Sequence, residues 1–202
     1  MKRTGTIIMK QIKVLSREER GAAARWAADT TWSEQEKYLE DPGYMECVRD
    51  ILEHPIFQSM DQYIQHGSTS CKAHCIQVSY LSYHLCKRFG WDFRTAARAG
   101  LLHDLFLYDW HTHARETGNH FHGFTHPRAA LNNARKHFQL SRGEADIILC
   151  HMWPLTPIPP KSMAGMMVVY ADKLCSVTET ALQVRGWFAI NFLYRGKPVG
   201  HA

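Results

Sequence analysis

The sequence predicts an all-α protein, a single bundle of six or seven helices. Capped helical segments account for most of residues 16–182, whereas the alternating pattern typical of strands extends over only short stretches. No internal repeat or low-complexity linker divides the chain, and 202 residues with 45% hydrophobic content can bury one sizeable core. We therefore expect one domain, with a helical N-terminal part over residues 16–66, a core over residues 70–182 and an aromatic, basic tail over residues 184–202.

The composition argues against several classes of protein. Lysine and arginine exceed aspartate and glutamate by only 24 to 19 and form no basic run, which argues against a dedicated nucleic-acid binder. The six cysteines are scattered without a CxxC pair, so we expect reduced core thiols instead of disulfides or a zinc ribbon. The early apolar run, residues 7–9, is too short for a signal sequence or a membrane span. We therefore expect a cytoplasmic protein with no membrane association.

Helix-end signals place the first helices. Ser16 and Glu19 have the spacing of a capping box and precede an Ala-rich run. Asp41 followed by Pro42 is typical of a second helix start, and that helix must end before Pro55. A longer helix is expected next, over about residues 70–88. Its end is marked by a glycine, and its inward stripe comprises His74, Val78, Leu81 and Leu85.

The stretch AARAGLLHDL, residues 96–105, ends a helix that Asp92 can cap, and it carries the adjacent pair His103 and Asp104. A carboxylate left unpaired among apolar residues costs several kcal/mol, so the pair requires either a solvated notch or a cation. Gly100 lies on the same side of the helix, where another helix or a ligand can approach closely. We therefore searched the rest of the chain for further ligands of a cation.

A long loop is expected after this helix. Residues 108–125 lack helical periodicity and are rich in His, Gly and Asn, which is typical of a functional loop or lid. Thr125-His126-Pro127 then predicts a helix start with proline at the first helical position, and that helix runs to about His137.

Two further helices complete the predicted bundle. Ser141 and Glu144 form a second capping box, and the short helix that they start carries His151 near its end. The last helix covers about residues 162–182 and is apolar until Asp172. The aromatic, basic tail favours packing against the bundle or a homodimer contact over membrane binding, because its aromatic stretch is short.

Histidine is the anomaly of this composition, since six of the 13 fall between residues 103 and 126, a density that indicates metal binding. Singly, each polar residue on an apolar helix face can be a satisfied core residue. Together, four imidazoles and two carboxylates are candidate metal ligands: His74, His103, Asp104, His126, His151 and Asp172. His122, four residues before His126, is an alternative ligand in its place.

The order His, His-Asp, His, His, Asp over roughly residues 70–180 resembles the HD-domain superfamily of metal-dependent phosphohydrolases. It is most similar to members that bind two metals. Among these, the bacterial diadenosine-tetraphosphate hydrolase type has a similar His-x-Pro-like helix start and an ending like Tyr170-Ala171-Asp172-Lys173.

The resemblance implies an HD-type core with two divalent transition-metal ions. Imidazole and carboxylate without thiolate suit iron or manganese better than a structural zinc site. Asp104 would bridge the ions. The other candidates would form two groups, one of His74, His103 and Asp172, and the other of His126 and His151. A metal-bridging hydroxide would then attack the phosphorus of a nucleotide or another small phosphate ester.

One departure from the family pattern leaves other functions open. Leu105 and Phe106 follow the His-Asp pair where many members have Gly-Lys, which removes a basic group expected at the substrate phosphate. Lys173 is the first candidate to replace it in catalysis, with Arg128, Lys161 and the loop histidines His111, His113 and His120 as further candidates. The alternatives are an HD-type di-iron oxygenase and a non-catalytic metal-containing sensor or binding domain.

Overall fold

The computed structural model describes residues 36–66, 69–109, 118 and 121–193. Over these residues the protein is all-α, which confirms the predicted fold class: seven α-helices accompany one two-stranded sheet. The helix predicted from Ser16 lies outside the described residues, as does the end of the tail from residue 194. Among the described helices, none combines the length and apolar character needed to cross a bilayer.

The seven helices are, in chain order, α1 Pro42–Leu52, α2 Pro55–Gln58, α3 Cys71–Phe89, α4 Phe93–Leu102, α5 His122–His137, α6 Arg142–Cys150 and α7 Met163–Leu193. Short 3-10 helices cover Glu36–Glu40 and Ser59–Gln62. Strands β1 Ile64–His66 and β2 Thr69–Ser70 pair antiparallel directly before α3, with Ile64 opposite Ser70. The sequence did not predict these strands, because two or three residues are too few to produce an alternating pattern.

Several helices begin at the side-chain caps that the sequence predicts. Asp41 and Asp92 each accept a hydrogen bond from the backbone N–H three residues further on, at the starts of α1 and α4. Ser141 and Glu144 form the predicted reciprocal capping box of α6. Gly90 ends α3 with a φ of 68°, a left-handed conformation that glycine adopts without strain.

The sequence predicted the wrong start for the helix that ends at His137, because it placed Pro127 at the first helical position. Helix α5 begins at His122, and Pro127 lies inside it at the sixth residue. Proline has no N–H, so the Gly123 carbonyl loses its helical donor, but this single loss near the helix start does not end the helix. Gly123 is consequently helical. Of the predicted loop over residues 108–125, residues 110–117, 119 and 120 lie outside the described residues.

Helix α4 is the centre of the bundle, because it packs against α1, α3, α5, α6 and α7. Its contact with α3 is closest at Gly100, where an added Cβ would lie 2.7 Å from the Cα of Ser79. The Ser79 hydroxyl also donates to the Ala97 carbonyl at 2.6 Å. The close approach expected at Gly100 is therefore made by another helix, and it brings α3 beside the His-Asp pair.

The core around α4 is apolar and contains thiols. All six cysteines are buried and free, as the sequence predicts. The predicted inward stripe of α3 is buried too, since His74, Val78, Leu81 and Leu85 are at most 8% exposed. Helix α7 continues beyond the predicted end near residue 182 and reaches Leu193. It passes the His-Asp pair and contacts both α3 and α4.

Candidate metal centre

Five helices bring the six predicted ligands into one buried cluster. One lies in the first turns of α3, two directly follow α4, one lies in α5, one directly follows α6 and one lies in α7: His74, His103 with Asp104, His126, His151 and Asp172. None of the six is more than 5% exposed. Two sets of three within it could each hold a metal ion: His74 with His103 and Asp104, and Asp104 with His126 and His151.

One side of the cluster consists of His126, His151 and one oxygen of Asp104, here called the His151 group. The Nε2 atoms of the two histidines are 2.9 Å apart. They lie 3.2 Å and 3.5 Å from Asp104 Oδ1. Three ligand atoms thus face one small volume.

The other side consists of His74, His103, Asp172 and the second oxygen of Asp104, here called the Asp172 group. His74 Nε2 lies 3.3 Å from Asp172 Oδ1, and His103 Nε2 lies 3.8 Å from the same oxygen. His103 Nε2 is also 3.4 Å from Asp104 Oδ2. Asp104 therefore presents one carboxylate oxygen to each group.

Hydrogen bonds at Nδ1 turn every imidazole of the cluster inward. His103, His126 and His151 each donate through Nδ1 to a backbone carbonyl three or four residues earlier, at 2.8 Å. His74 instead donates through Nδ1 to Glu179 Oε1 at 3.0 Å. In the neutral form that binds a metal, each ring therefore carries its proton on Nδ1 and presents the Nε2 lone pair to the cluster.

The cluster is electrostatically prepared for cations. Burial lowers the pKa of His103, but the Asp104 carboxylate outweighs burial and holds that pKa well above its ordinary value. The pKa of His74 is raised in the same way by Glu179 and Asp172, against burial. Burial raises the pKa of Asp104, and the neighbouring His103 outweighs it, so this pKa lies well below its ordinary value. All three shifts show carboxylates that stabilise positive charge close to them.

The donor set fits a metal ion. Burial, with the positive charge of the nearby His103, lowers the pKa of His151 to about 4, so its Nε2 is a lone pair at neutral pH. That lone pair faces Asp104 Oδ1 and the Nε2 atom of His126. Asp104 Oδ1 and His103 Nε2 are buried and make no hydrogen bond within the part of the chain that the structure describes. Acceptors crowded in this way need a cation between them.

Several residues at the cluster were not predicted. Glu179 is 7% exposed and bonds His74, and Gln65 donates through Nε2 to Asp104 Oδ2. Glu179 follows Asp172 by seven residues, or about two helical turns. That spacing was a usable signal for a shared helix face. Gln65 lies on a two-stranded sheet for which the sequence offers no pattern.

His122, the alternative ligand, lies beside the cluster. Its ring stacks on His126 with centroids 4.6 Å apart, and its carbonyl accepts the His126 Nδ1 hydrogen bond. Its own Nδ1 is 3.0 Å from the Tyr108 hydroxyl. Of these two histidines, His126 places a ring nitrogen within the His151 group.

The three candidate phosphate-binding cations occupy different surroundings. Lys173 Nζ donates to Asp172 Oδ2 at 2.6 Å, and the lysine side chain is 41% exposed. Lys161 is 84% exposed and lies 3.7 Å from Asp146, and Arg128 is exposed on α5. Lys173 alone among the three contacts one of the six predicted ligands in the described residues.

Comparison with models of protein families, with curated proteins and with solved structures found no match to this chain. What the protein does is therefore inferred from the arrangement of its own side chains.

Proposed function

We propose that the protein is a phosphohydrolase of the HD type, which uses two divalent transition-metal ions, iron or manganese, to hydrolyse a nucleotide or another small phosphate ester. The observation that carries the proposal is the orientation of Asp104. Its Oδ1 faces the His151 group and its Oδ2 faces His103 in the Asp172 group. A carboxylate with one oxygen toward each set of imidazoles is the arrangement that a bridge between two ions needs.

The side chains of this chain have separable tasks in such a reaction. The Nδ1 hydrogen bonds fix the imidazole rings, so that the ligands need little rearrangement when metal enters. Burial of the ligands excludes water and strengthens their interaction with charge. Two divalent ions held there supply Lewis-acid stabilisation of the charge that develops in phosphoryl transfer.

Lys173 supports an anionic substrate. Its ammonium group touches Asp172 inside the cluster, yet two fifths of the side chain is open to solvent. The lysine therefore connects the buried ligands with the surface, where it can bind a phosphate oxygen. The chain carries a formal net charge of +5, which favours anionic ligands further.

The second candidate is a di-iron oxygenase of the HD type. It is favoured by two observations. The Gly-Lys of many family members is missing after the His-Asp pair, and the aromatic residues Phe106 and Tyr108 lie near that pair. The Phe106 ring lies 5.8 Å from His126 and 5.0 Å from His122, and Tyr108 bonds His122. These groups line the His151 side of the cluster with apolar surface and place no cation there.

Metal analysis followed by a substrate screen tests the proposal. Purified protein is stripped with chelator, reloaded with Mn²⁺ or Fe²⁺, and assayed for phosphate release from a panel of nucleotides and other phosphate esters. Metal-dependent phosphate release is the expected result. Oxygen consumption by the Fe²⁺ form without phosphate release would favour the oxygenase. Metal binding with neither activity would favour a sensor or binding domain.

A further inference from the structure

Glu179 contacts His74, one of the six ligand candidates, at the ring nitrogen Nδ1. It lies on α7 two helical turns after Asp172, so the two carboxylates share one face of that helix. Glu179 Oε1 accepts the hydrogen bond from His74 Nδ1 at 3.0 Å, while His74 Nε2 lies 3.3 Å from Asp172 Oδ1. The His74 ring is thus held between two carboxylates of the same helix.

This arrangement distinguishes His74 from the other three imidazoles. Their Nδ1 atoms donate to neutral backbone carbonyls at 2.8 Å. A charged carboxylate at Nδ1 increases the electron density of the ring, so the opposite nitrogen donates more strongly to a metal than it does with a carbonyl partner. Partners of this kind alter metal affinity measurably.

The burial of Glu179 also indicates that positive charge lies close to His74. Its side chain is 4% exposed, and its Oε2 makes no hydrogen bond in the described part of the chain. A buried carboxylate is costly unless a cation compensates it. Without metal, a positively charged His74 ring compensates it at 3.0 Å, and a metal ion bound in front of His74 would take over that compensation through the imidazole.

The two ligand groups consequently differ in negative charge. The Asp172 group has two carboxylates among its ligands and Glu179 behind His74, whereas the His151 group has Asp104 and two imidazoles. The Lys173 ammonium group offsets one of these charges at Asp172, which leaves the Asp172 group more negative by the charge of Glu179. We propose that the Asp172 group binds its metal ion more tightly than the His151 group does, and that Glu179 is the positioning residue that sets this order. The inference rests on the proposed dinuclear site.

Calorimetric titration of metal-free protein with Mn²⁺ tests it. Wild-type protein should bind two ions in two steps of different affinity. Glu179→Gln keeps the size of the side chain and a carbonyl oxygen for the hydrogen bond but removes the charge. The tighter step should weaken at least tenfold, within the roughly 10- to 100-fold range typical of such partners, and the weaker step should change less than twofold.

The matched control is Glu144→Gln. Glu144 is as buried as Glu179, but it pairs with Arg98 at 2.7 Å and has no contact with the cluster among the described residues. This variant should leave both binding steps unchanged. A loss common to both variants would indicate general damage to the fold and overturn the role of Glu179.

A second readout separates positioning from folding. In the Zn²⁺-loaded protein, the Nδ1 proton of His74 should resonate further downfield than those of the other three ligands, and it should move upfield in Glu179→Gln. If that variant does not fold, Glu179→Asp keeps the charge and withdraws it from His74, with the same expected loss in the tighter step. Unchanged binding, equal weakening of both steps or an unmoved resonance would overturn this inference alone. Wild-type protein that binds no metal would overturn the proposed function with it.

Discussion

At the scale of single residues, the cluster depends on short-range hydrogen bonds that decide which ring nitrogen faces inward. His103 and His151 bond carbonyls three residues earlier, and His126 bonds one four residues earlier. The partners are local in sequence, so each ring is oriented by the end or turn of its own helix. His74 lacks such a partner and needs Glu179 from another helix. The ligand most dependent on tertiary structure is therefore also the one with a charged partner.

The proposed bridging role of Asp104 gives the first prediction. Wild-type protein should carry close to two transition-metal ions per chain. Asp104→Ala should lose both, because its two oxygens face different ligand groups, and Asp172→Ala should mainly weaken one. Elemental analysis of purified protein measures both effects. Glu53→Ala serves as the control and should keep full metal content, because Glu53 is an exposed carboxylate directly after α1 that pairs with Arg49. Full occupancy in the Asp104 variant would refute the bridge.

Lys173 gives the second prediction. Lys173→Ala should retain its metal and lower kcat/KM for phosphate esters at least tenfold, which corresponds to about 1.4 kcal/mol of transition-state binding. The reason is that the ammonium group lies at the edge of the cluster and is partly open to solvent. Lys161→Ala is the matched control, because that lysine is more exposed and pairs with Asp146. Wild-type kinetics in the Lys173 variant would leave its contact with Asp172 as a structural ion pair and move phosphate binding to Arg128 or the loop histidines.

At the scale of the elements, the approach of α3 to α4 positions both His74 and the His-Asp pair. Gly100 allows it, because a Cβ there would lie 2.7 Å from the Ser79 Cα. The Ser79 hydroxyl bonds the Ala97 carbonyl, so the contact is also tied by a hydrogen bond. The spacing between the two helices therefore influences the geometry of the Asp172 group.

The third prediction follows from this contact. Gly100→Ala should destabilise the protein by about 1–3 kcal/mol, since the backbone of α3 must shift to admit one methyl group. Gly143→Ala is the control. It also lies in a helix, but its added Cβ would meet the end of the Thr95 side chain at 3.1 Å, which can move. Urea unfolding of both variants measures the difference. Equal stability of the two would show that α3 and α4 can separate at no cost.

Features of the fold that depend on residues close together in the chain could be predicted from the sequence, whereas those that depend on distant residues could not. Caps such as Asp41, Asp92 and Ser141 were predictable, because their hydrogen-bond partners lie three residues away. The six ligand candidates were found because each is a polar residue on an apolar helix face or at a helix end. Gln65 was missed because its partner Asp104 is 39 residues away and only the fold brings the two together. Glu179 was missed although its spacing from Asp172 indicated a shared helix face, because its contact with His74 spans 105 residues.

Helix boundaries without such caps were predicted less well. Pro127 indicated a helix start by its preference for the first position, yet α5 begins earlier and tolerates it. Helix α7 continues to Leu193 beyond the expected end near residue 182, because no cap or proline interrupts it there. The residue identities at the cluster were thus easier to predict than the limits of the helices that carry them.

At the scale of the whole molecule, the polar cluster sits where helices α3 to α7 converge on an otherwise apolar core. Three buried carboxylates and four buried imidazoles occupy one region, including Glu179 behind the ligands. Desolvation of so many titratable groups opposes folding unless they compensate one another or bind cations. The bundle is therefore expected to be most stable with metal bound, so that folding and metal binding are coupled.

The last prediction measures that coupling. A ligand that binds only the folded state adds about 2.7 kcal/mol of stability when its free concentration is about 100 times its Kd. For a domain of this size, we expect this to raise Tm by roughly 5–10 °C. Thermal unfolding of chelator-treated protein with and without added Mn²⁺ provides the measurement, with Mg²⁺ as a comparison, because that ion prefers oxygen ligands and waters to imidazole. Asp104→Ala should abolish the Mn²⁺ effect. An equal Mn²⁺ shift in that variant would place the stabilising ion outside the cluster, and the absence of a shift in wild-type protein would contradict the coupling itself.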